Sequence, residues 1–529
     1  MPVTSLNARK LNTIYPVSSR LLPQDLELDT LHDLSALIRD KPEICPEYPF
    51  LSDLAALEYA QYHLFSKSTP DGEKVRERVV NPALQLVPVH WHNLPSFLDD
   101  QTLVPERGDE ILLVWKKPGT ERVRTITASG HDLLALKIVS EGMGSREAAR
   151  LGGVTVGAID DILAAASLRG LLLAPASLLV RSDSFPRGKN IDPCSFSAPT
   201  FTLQWHVTQV CDLHCRHCYD RSDRKAMELS QGIRVLDDLY DFCQEHHVFT
   251  QVTFTGGNPL LYPHFNTLYQ EAANRGFMTA ILGNPMPRQR VEEILALQKP
   301  EFYQVSLEGL REHNDYIRGA GHFKRTLEFL DLLRELGIYS MVMLTLTRTN
   351  MTEVLALAEL LRDKVDLFTF NRLAMVGEGA ALASVAPDAF PAFLQAYMQD
   401  AVKNPIMGVK DNLFNLLRHE QAIPYRGGCC AGYGCGAGFN FVSLLPDGEV
   451  HACRKLPSLI GNMYQQSLGE IYHGQLAGQY RQGSAACRDC EIRPVCGGCL
   501  AVAYGYGRDI FRDVDPYCWK EDQKTKGIV

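Results

Sequence analysis

A chain of 529 residues exceeds one ordinary domain and sets an expectation of two to four. Its 45% apolar and 22% charged residues provide for sizeable cores, no apolar run reaches the ~18 residues that cross a bilayer, and no basic-then-apolar secretory pattern opens it. A net charge of −9 argues against a polyanionic partner, and 15 cysteines without an export pattern are more often metal ligands than disulfides in a reducing compartment. The expected location is the cytoplasm, with neither nucleic acid nor membrane as partner.

Residues 1–104 read as a small helical region, with apolar residues around 31–38 and 51–65 at helical spacing between Pro-rich joints. In residues 105–185 the run 110–126 predicts a β-hairpin turning at Pro118-Gly119. Helices over 131–141, 145–151 and 156–169 follow, then an apolar closing strand from Gly170. This order describes a winged helix-turn-helix. Such a fold commonly binds DNA, but the expected recognition helix, Val154-Thr-Val-Gly-Ala-Ile-Asp-Asp-Ile-Leu, is acidic and apolar where phosphate-seeking bases are needed. Residues 186–200, with Pro186, Pro193 and Pro199, read as a linker.

From 201 to 405 strand and helix patterns alternate. Strands are expected over 201–208, 251–255, 278–283, 302–307, 340–347 and 367–373, with helices between them, for example over 231–243, 265–275, 323–336 and 352–362. Six such units predict an α/β fold, a parallel sheet curled into a partial (β/α)6 barrel of TIM type, with function at the carboxyl ends of its strands. Four motifs fall there: Cys211-Asp-Leu-His-Cys215-Arg-His-Cys218 after the first strand, Gly256-Gly-Asn258-Pro after the second, Gly283-Asn284-Pro after the third and Ser306-Leu-Glu308-Gly after the fourth. Three thiolates on one loop suit a 4Fe–4S cluster, which takes four, and would leave one iron open. Zinc bound with His214 or His217 is the competing reading of that spacing.

Residues 406–529 form a cysteine-rich end, spaced Cys429-x5-Cys435-x17-Cys453 and Cys487-x2-Cys490-x5-Cys496-x2-Cys499-x18-Cys518. Cys453 is expected on the return strand of a hairpin that turns at Pro446-Asp-Gly. Zinc held by Cys487, Cys490, Cys496 and Cys499 is the competing reading, and it leaves Cys429, Cys435, Cys453 and Cys518 without a shared purpose.

On these motifs, the segment of about 200–400 resembles a radical S-adenosylmethionine (SAM) enzyme. Cys211, Cys215 and Cys218 match that family's CxxxCxxC loop, with His217 where an aromatic ring usually stands and Tyr219 just after. The resemblance implies that the open iron is chelated by the amino and carboxylate groups of SAM. Gly256, Gly257 and Asn258 align with the family's Gly-Gly-Glu motif for the SAM amino group, with Asn258 in place of Glu. Tyr219, Asn284 and Ser306 are expected to contact the cofactor, and Glu308 and Arg318 to be catalytic. The cysteine-rich end resembles the SPASM extension, which implies two auxiliary 4Fe–4S clusters. One would take Cys429 (or its neighbour Cys430), Cys435, Cys453 and Cys499, and the other Cys487, Cys490, Cys496 and Cys518.

The resemblance thus implies three 4Fe–4S clusters, SAM, and an electron donor of flavodoxin or ferredoxin type. Reductive cleavage of SAM would give a 5′-deoxyadenosyl radical that abstracts hydrogen from a ribosomally made precursor peptide, and the auxiliary clusters would take up an electron in a net oxidation. Residues 105–185 resemble the precursor-recognition domains that bind a leader peptide as an added strand. Trp205-His-Val-Thr-Gln-Val-Cys, Gly256-Gly-Asn-Pro and Cys453-Arg-Lys-Leu-Pro-Ser resemble the thio(seleno)oxazole-modification maturases. Two alternatives stand beside this. A sulfatase-type, formylglycine-forming maturase would place Asp where Arg454 stands; a redox-responsive iron–sulfur protein would use the winged helix to bind nucleic acid.

Overall fold

The computed structural model describes residues 10–23, 34–66, 75–188, 190–427 and 432–520. The chain divides into two compact units, Met1–Ala176 and Ser177–Val529.

The first unit contains β1 (Val79–Val80), β2 (Leu84–His92), β3 (Glu106–Lys116), β4 (Val123–Thr127) and β5 (Leu172–Leu173). β2, β3 and β4 form an antiparallel sheet in that order, and β1 pairs with β5. Central β3 is covered on both faces, which explains its unbroken apolar run. Leu112 and Val114 pack with Leu54 and Leu57 of helix Leu51–Phe65. Leu113 and Trp115 pack on the other side with Ala135, Ile159 and Leu163. Helices Gly130–Ser140, Ser145–Gly152 and Val156–Arg169 follow the sheet. The first begins at a capping box, Ser129 with Asp132, and the last ends at Gly170 in the left-handed conformation (φ 82°). The expectation of purely helical structure before residue 105 is corrected by β2. Pro88 in Leu-Gln-Leu-Val-Pro-Val-His-Trp-His weakens a strand reading, but β2 is an edge strand, where a missing donor is tolerated.

The second unit is built on β6 (Thr200–Thr208), β7 (Phe249–Gly256), β8 (Met278–Leu282), β9 (Tyr303–Ser306), β10 (Ser340–Leu346), β11 (Leu367–Arg372), β12 (Phe441–Leu444), β13 (Glu449–His451) and β14 (Leu459–Asn462). One nine-stranded sheet holds them in the order β11-β10-β9-β8-β7-β6-β12-β13-β14. The six strands β6 to β11 are parallel and neighbours in chain order, as in a barrel rather than a doubly wound sheet. β6 has β7 on one side and β12 on the other, so β11 does not close onto it. The barrel is partial, and the cysteine-rich end contributes β12 to the same sheet.

Alternation along the strands sorts the two faces. Phe201, Leu203, Trp205, Val252 and Phe254 are fully buried. The alternate residues, Thr202, Gln204, Gln251 and Thr253, line a cavity of about 820 Å³ in the barrel lumen. A closed TIM barrel fills its interior with branched aliphatics; this one keeps an open lumen, in which Thr202, Gln204, Gln251 and Thr253 stand beside Met278, Met341 and Met343.

The stretch expected as a linker is built into the second unit. Ala198 N–H donates to the Leu179 carbonyl at 2.9 Å, the Pro199 carbonyl accepts from Phe249 N–H at 2.8 Å, and Phe196 and Ala198 are buried. Among the described residues no single helix is long and apolar enough to cross a membrane.

Candidate active site

Cys211, Cys215 and Cys218 lie on the irregular loop that leaves β6 at the carboxyl end of the sheet. All three line one cavity of about 550 Å³, together with Gly256 and Gly257 after β7, Asn284 after β8 and Ser306 at the end of β9. Backbone hydrogen bonds hold the loop, and Arg216 stacks 4.3 Å over the Tyr316 ring. Thr208 and Val210 carbonyls accept from Gly257 and Asn258 N–H, both at 2.8 Å. Arg216 N–H donates to the Ile317 carbonyl at 2.9 Å, and the Cys218 carbonyl accepts from Glu378 N–H at 2.9 Å.

The Gly-Gly step is a requirement of close approach. A Cβ on Gly256, whose φ is +138°, would lie 2.2 Å from the Thr208 oxygen, and one on Gly257 2.2 Å from the Val210 oxygen. Neither would fit against a backbone carbonyl. The missing side chains leave the strand end flush with the cysteine loop and its backbone on the cavity wall.

Asn258 is placed differently from its expected role at the cofactor. It is fully buried and caps the turn after β7, and its amide donates to Asp212 Oδ1 at 3.0 Å. Asn284 donates to the same oxygen at 2.7 Å and approaches Cys211 Sγ at 3.6 Å. Asp212 was missed from sequence because an acidic residue inside a cysteine loop reads as solvated. It is the anchor by which two strand ends grip that loop.

Glu308 and Arg318, the residues expected to be catalytic, pair with each other. The Glu308 carboxylate is buried, and its oxygens accept from Arg318 (2.6 and 2.9 Å) and from Thr345 N–H (2.7 Å), with His217 Nε2 3.1 Å away. Burial pushes its pKa up, but His217 and Arg318 outweigh that and hold it well below the usual carboxylate range. Arg318 in turn reaches Cys215 Sγ at 3.8 Å. The partners of this carboxylate are protein groups, and the pair stands beside Cys215. Burial raises the Cys215 thiol, and Arg318 works against that.

Tyr219 lines the cavity, with its hydroxyl 3.0 Å from His206 Nε2. Burial pushes the Tyr219 pKa up to about 12 and the His206 pKa down to about 3. Both are neutral near pH 7.

In the cysteine-rich end, Cys435, Cys453 and Cys499 line one small cavity with Arg372 and Asp411. Cys429, the fourth of that expected set, and Cys430 lie outside the described residues. Burial raises the Cys499 thiol to about 12, with Arg372 opposing and Cys435 adding to it. Cys487, Cys490, Cys496 and Cys518 form a second neighbourhood. Burial first, then Cys490 and Cys518, raises Cys487 to about 12, and Cys518, Cys487 and Cys490 act in the same sense on Cys496. The two groups are tied together, since Cys435 N–H donates to the Cys496 carbonyl at 3.1 Å. Arg372 is buried between Asp411 and Asp515, each 2.8 Å away, and Asp515 accepts from Cys499 N–H at 2.8 Å. Among the described residues no three His, Cys, Asp or Glu side chains meet as they would around one metal ion. What the chain offers instead is thiols grouped around shared cavities, the donor type iron–sulfur clusters take.

Comparison with known proteins agrees with this geometry. Residues 205–361 match the family model of the radical SAM superfamily, and residues 435–491 match that of the SPASM iron–sulfur cluster-binding domain. The subtilosin biosynthesis protein AlbA of Bacillus subtilis is 26% identical over 344 residues, 61% of this chain and 72% of AlbA. The AdoMet-dependent heme synthase of Methanosarcina barkeri is 26% identical over 60% of this chain and 95% of its own length. The mycofactocin maturase MftC of Mycobacterium tuberculosis is 28% identical over 64% and 85%. Among solved structures, Streptococcus suis SuiB bound to the precursor peptide SuiA superposes with a TM-score of 0.50 at 18% identity, over 76% of this chain and 95% of SuiB. A structure of anSMEcpe with AdoMet and a Cys peptide does so with 0.50 at 15%, over 62% and 96%. These two share the fold. With three cysteines and a glycine step at the strand ends and grouped thiols beyond them, the chain carries a radical SAM domain over residues 205–361 and a SPASM iron–sulfur cluster-binding domain over 435–491, the two domains that imply 4Fe–4S clusters and SAM.

Proposed function

We propose that this enzyme is a peptide maturase that oxidatively modifies a ribosomally made precursor. The observation that carries the reading is the cavity at the strand ends, where Cys211, Cys215 and Cys218 face the Gly256-Gly257 backbone across a space of about 550 Å³, ample for a cofactor of SAM size. When bound, the cluster and SAM supply reductive SAM cleavage and, through it, hydrogen abstraction from the substrate. The chain's own part is positional. Asp212, with Asn258 and Asn284, fixes the entry to the cysteine loop, Arg318 sets the charge beside Cys215, and Tyr219 and Ser306 line the cofactor's surroundings. Cys429, Cys435, Cys453 and Cys499 would hold one auxiliary cluster and Cys487, Cys490, Cys496 and Cys518 the other, each fully ligated and suited to taking up an electron from the substrate, while a flavodoxin- or ferredoxin-type partner would supply the electron for SAM cleavage. A cytoplasmic location fits such ligands.

Peptide as substrate is supported by the relatives described as a bacteriocin biosynthesis protein and a mycofactocin maturase, and by the first unit. Its sheet has two edges, β2 and β4. β2 is blunted by Pro88 and a register shift near Trp91, whereas β4 pairs only with β3 among the described residues. A leader strand would add to β4. The sulfatase-type alternative loses its base, because Arg454 follows Cys453 and lines the cavity; the thio(seleno)oxazole group is the sub-family the motifs resemble.

Anaerobic reconstitution with SAM and dithionite tests the core of this reading. Full-length protein should bind about twelve irons, three clusters of four, and release 5′-deoxyadenosine, while Cys215→Ala should release none. Continued SAM cleavage by that variant would refute the assignment.

A further inference from the structure

We infer that the active-site cavity is built to hold a carboxylate of the substrate peptide between Arg454 and Lys455. The inference rests on the peptide-maturase reading. Both residues follow Cys453 on the segment joining β13 to β14, and both line the 550 Å³ cysteine cavity and the 820 Å³ lumen cavity. They therefore stand where the two spaces meet, on the route between the lumen and the cysteine triad.

The other cations lining the cysteine cavity have acidic partners. Arg318 pairs with Glu308, Arg372 with Asp411 and Asp515, and Arg221 with Glu378. Arg454 donates to the Thr255 hydroxyl at 3.3 Å and lies 5.7 Å above the Tyr219 ring. Neither Arg454 nor Lys455 has a carboxylate partner among the described residues. The acids bordering these spaces do not supply one. Asp220 is engaged by Ser222 and Gln209 and lies 3.7 Å from Arg224. Glu301 precedes β9, at the opposite end of that strand from Ser306.

Two uncompensated cations facing a partly enclosed space favour an anion there. Arg supplies a fork that takes a carboxylate through both oxygens, and Lys adds a compact charge. The neutral groups at the same junction, Gln304 and Asn371, offer amides for the adjoining peptide backbone. Lys455 also borders the small cavity of Cys435, Cys453 and Cys499, so a charge-balancing role for those thiols is the rival that the test must separate.

The test uses full-length, anaerobically reconstituted protein with SAM and a synthetic pool of random octapeptides. The pool is prepared with free or amidated C-termini, and with Asp and Glu included or omitted; retained peptides are read by mass spectrometry. Carboxylate-bearing peptides should be enriched about tenfold or more over neutral ones, and the pool arm that carries the enrichment tells a side-chain carboxylate from a C-terminal one. Arg454→Gln and Lys455→Gln should abolish the preference while iron content and the visible spectrum stay unchanged, and Lys455→Arg should keep it. Retention indifferent to carboxylates overturns the inference alone. A preference that survives in the variants while iron is lost assigns the pair to the auxiliary cysteines and overturns it as well. If wild-type protein retains no peptide, this inference falls; the maturase reading it rests on falls separately, if the reconstituted protein does not cleave SAM.

Discussion

The Glu308–Arg318 pair shows how a single substitution would act. Glu308 is buried, Arg318 is largely so, and the two pair at 2.6 Å. Arg318→Met leaves the buried carboxylate with Thr345 N–H and His217 but without its guanidinium, which costs up to about 3 kcal/mol. Denaturant unfolding should show that loss, and the Glu308→Gln/Arg318→Met double variant should recover part of it. Titration gives a second expectation. His206 is buried beside Tyr219 with its pKa lowered to about 3, against about 6.5 in an unfolded chain. Below pH 6.5 the unfolded state binds a proton that the folded state refuses, so stability present near neutrality is lost as pH falls through that window. By pH 5 this residue should account for about 2 kcal/mol of the loss, and His206→Gln should flatten the pH profile of unfolding. The grouping of the thiols could be read from spacing, because the cysteines crowd into two stretches of the chain. Glu308 and Asn258 could not, since a carboxylate or an amide at a strand end can face a ligand or a neighbour, and only folding brought Arg318 and Asp212 within reach.

Among elements, the strand-to-loop junction at β7 is the least tolerant. Gly257→Ala puts a carbon 2.2 Å from a backbone oxygen, so the cysteine loop has to move. The protein should still fold, but its SAM cleavage should fall at least a hundredfold, a shift of about 1 Å at a reacting centre being enough for that; measuring 5′-deoxyadenosine release at matched protein concentration checks it. Strand positions β6 to β11 were readable within a few residues because buried β-branched runs and the β/α period reinforce each other. β2 was not, because one proline inside nine residues outweighs the alternation around it until the strand is known to be an edge. The end of β12 was equally hidden. Nothing local in Phe-Val-Ser-Leu tells that it lies beside β6 some 240 residues earlier, Phe441 opposite Thr202.

For the molecule as a whole, the division after Ala176 predicts separable behaviour. Deleting residues 1–176 should leave uncoupled SAM cleavage in place and weaken retention of the precursor peptide. Unchanged affinity, measured by fluorescence anisotropy of a labelled precursor, would remove the leader-binding role of β4. Within the second unit no such division exists, since one sheet runs from β11 through β6 to β14. The hydrogen bond from Cys435 N–H to the Cys496 carbonyl adds a different kind of linkage. With Cys499 assigned to the first cysteine set and Cys487, Cys490 and Cys496 lying between it and Cys453 in the chain, the two sets are braided. Metal entering one set would order the backbone that presents the other. Iron loading of this region should therefore be all-or-none, stepping from empty to doubly filled without a stable half-loaded form.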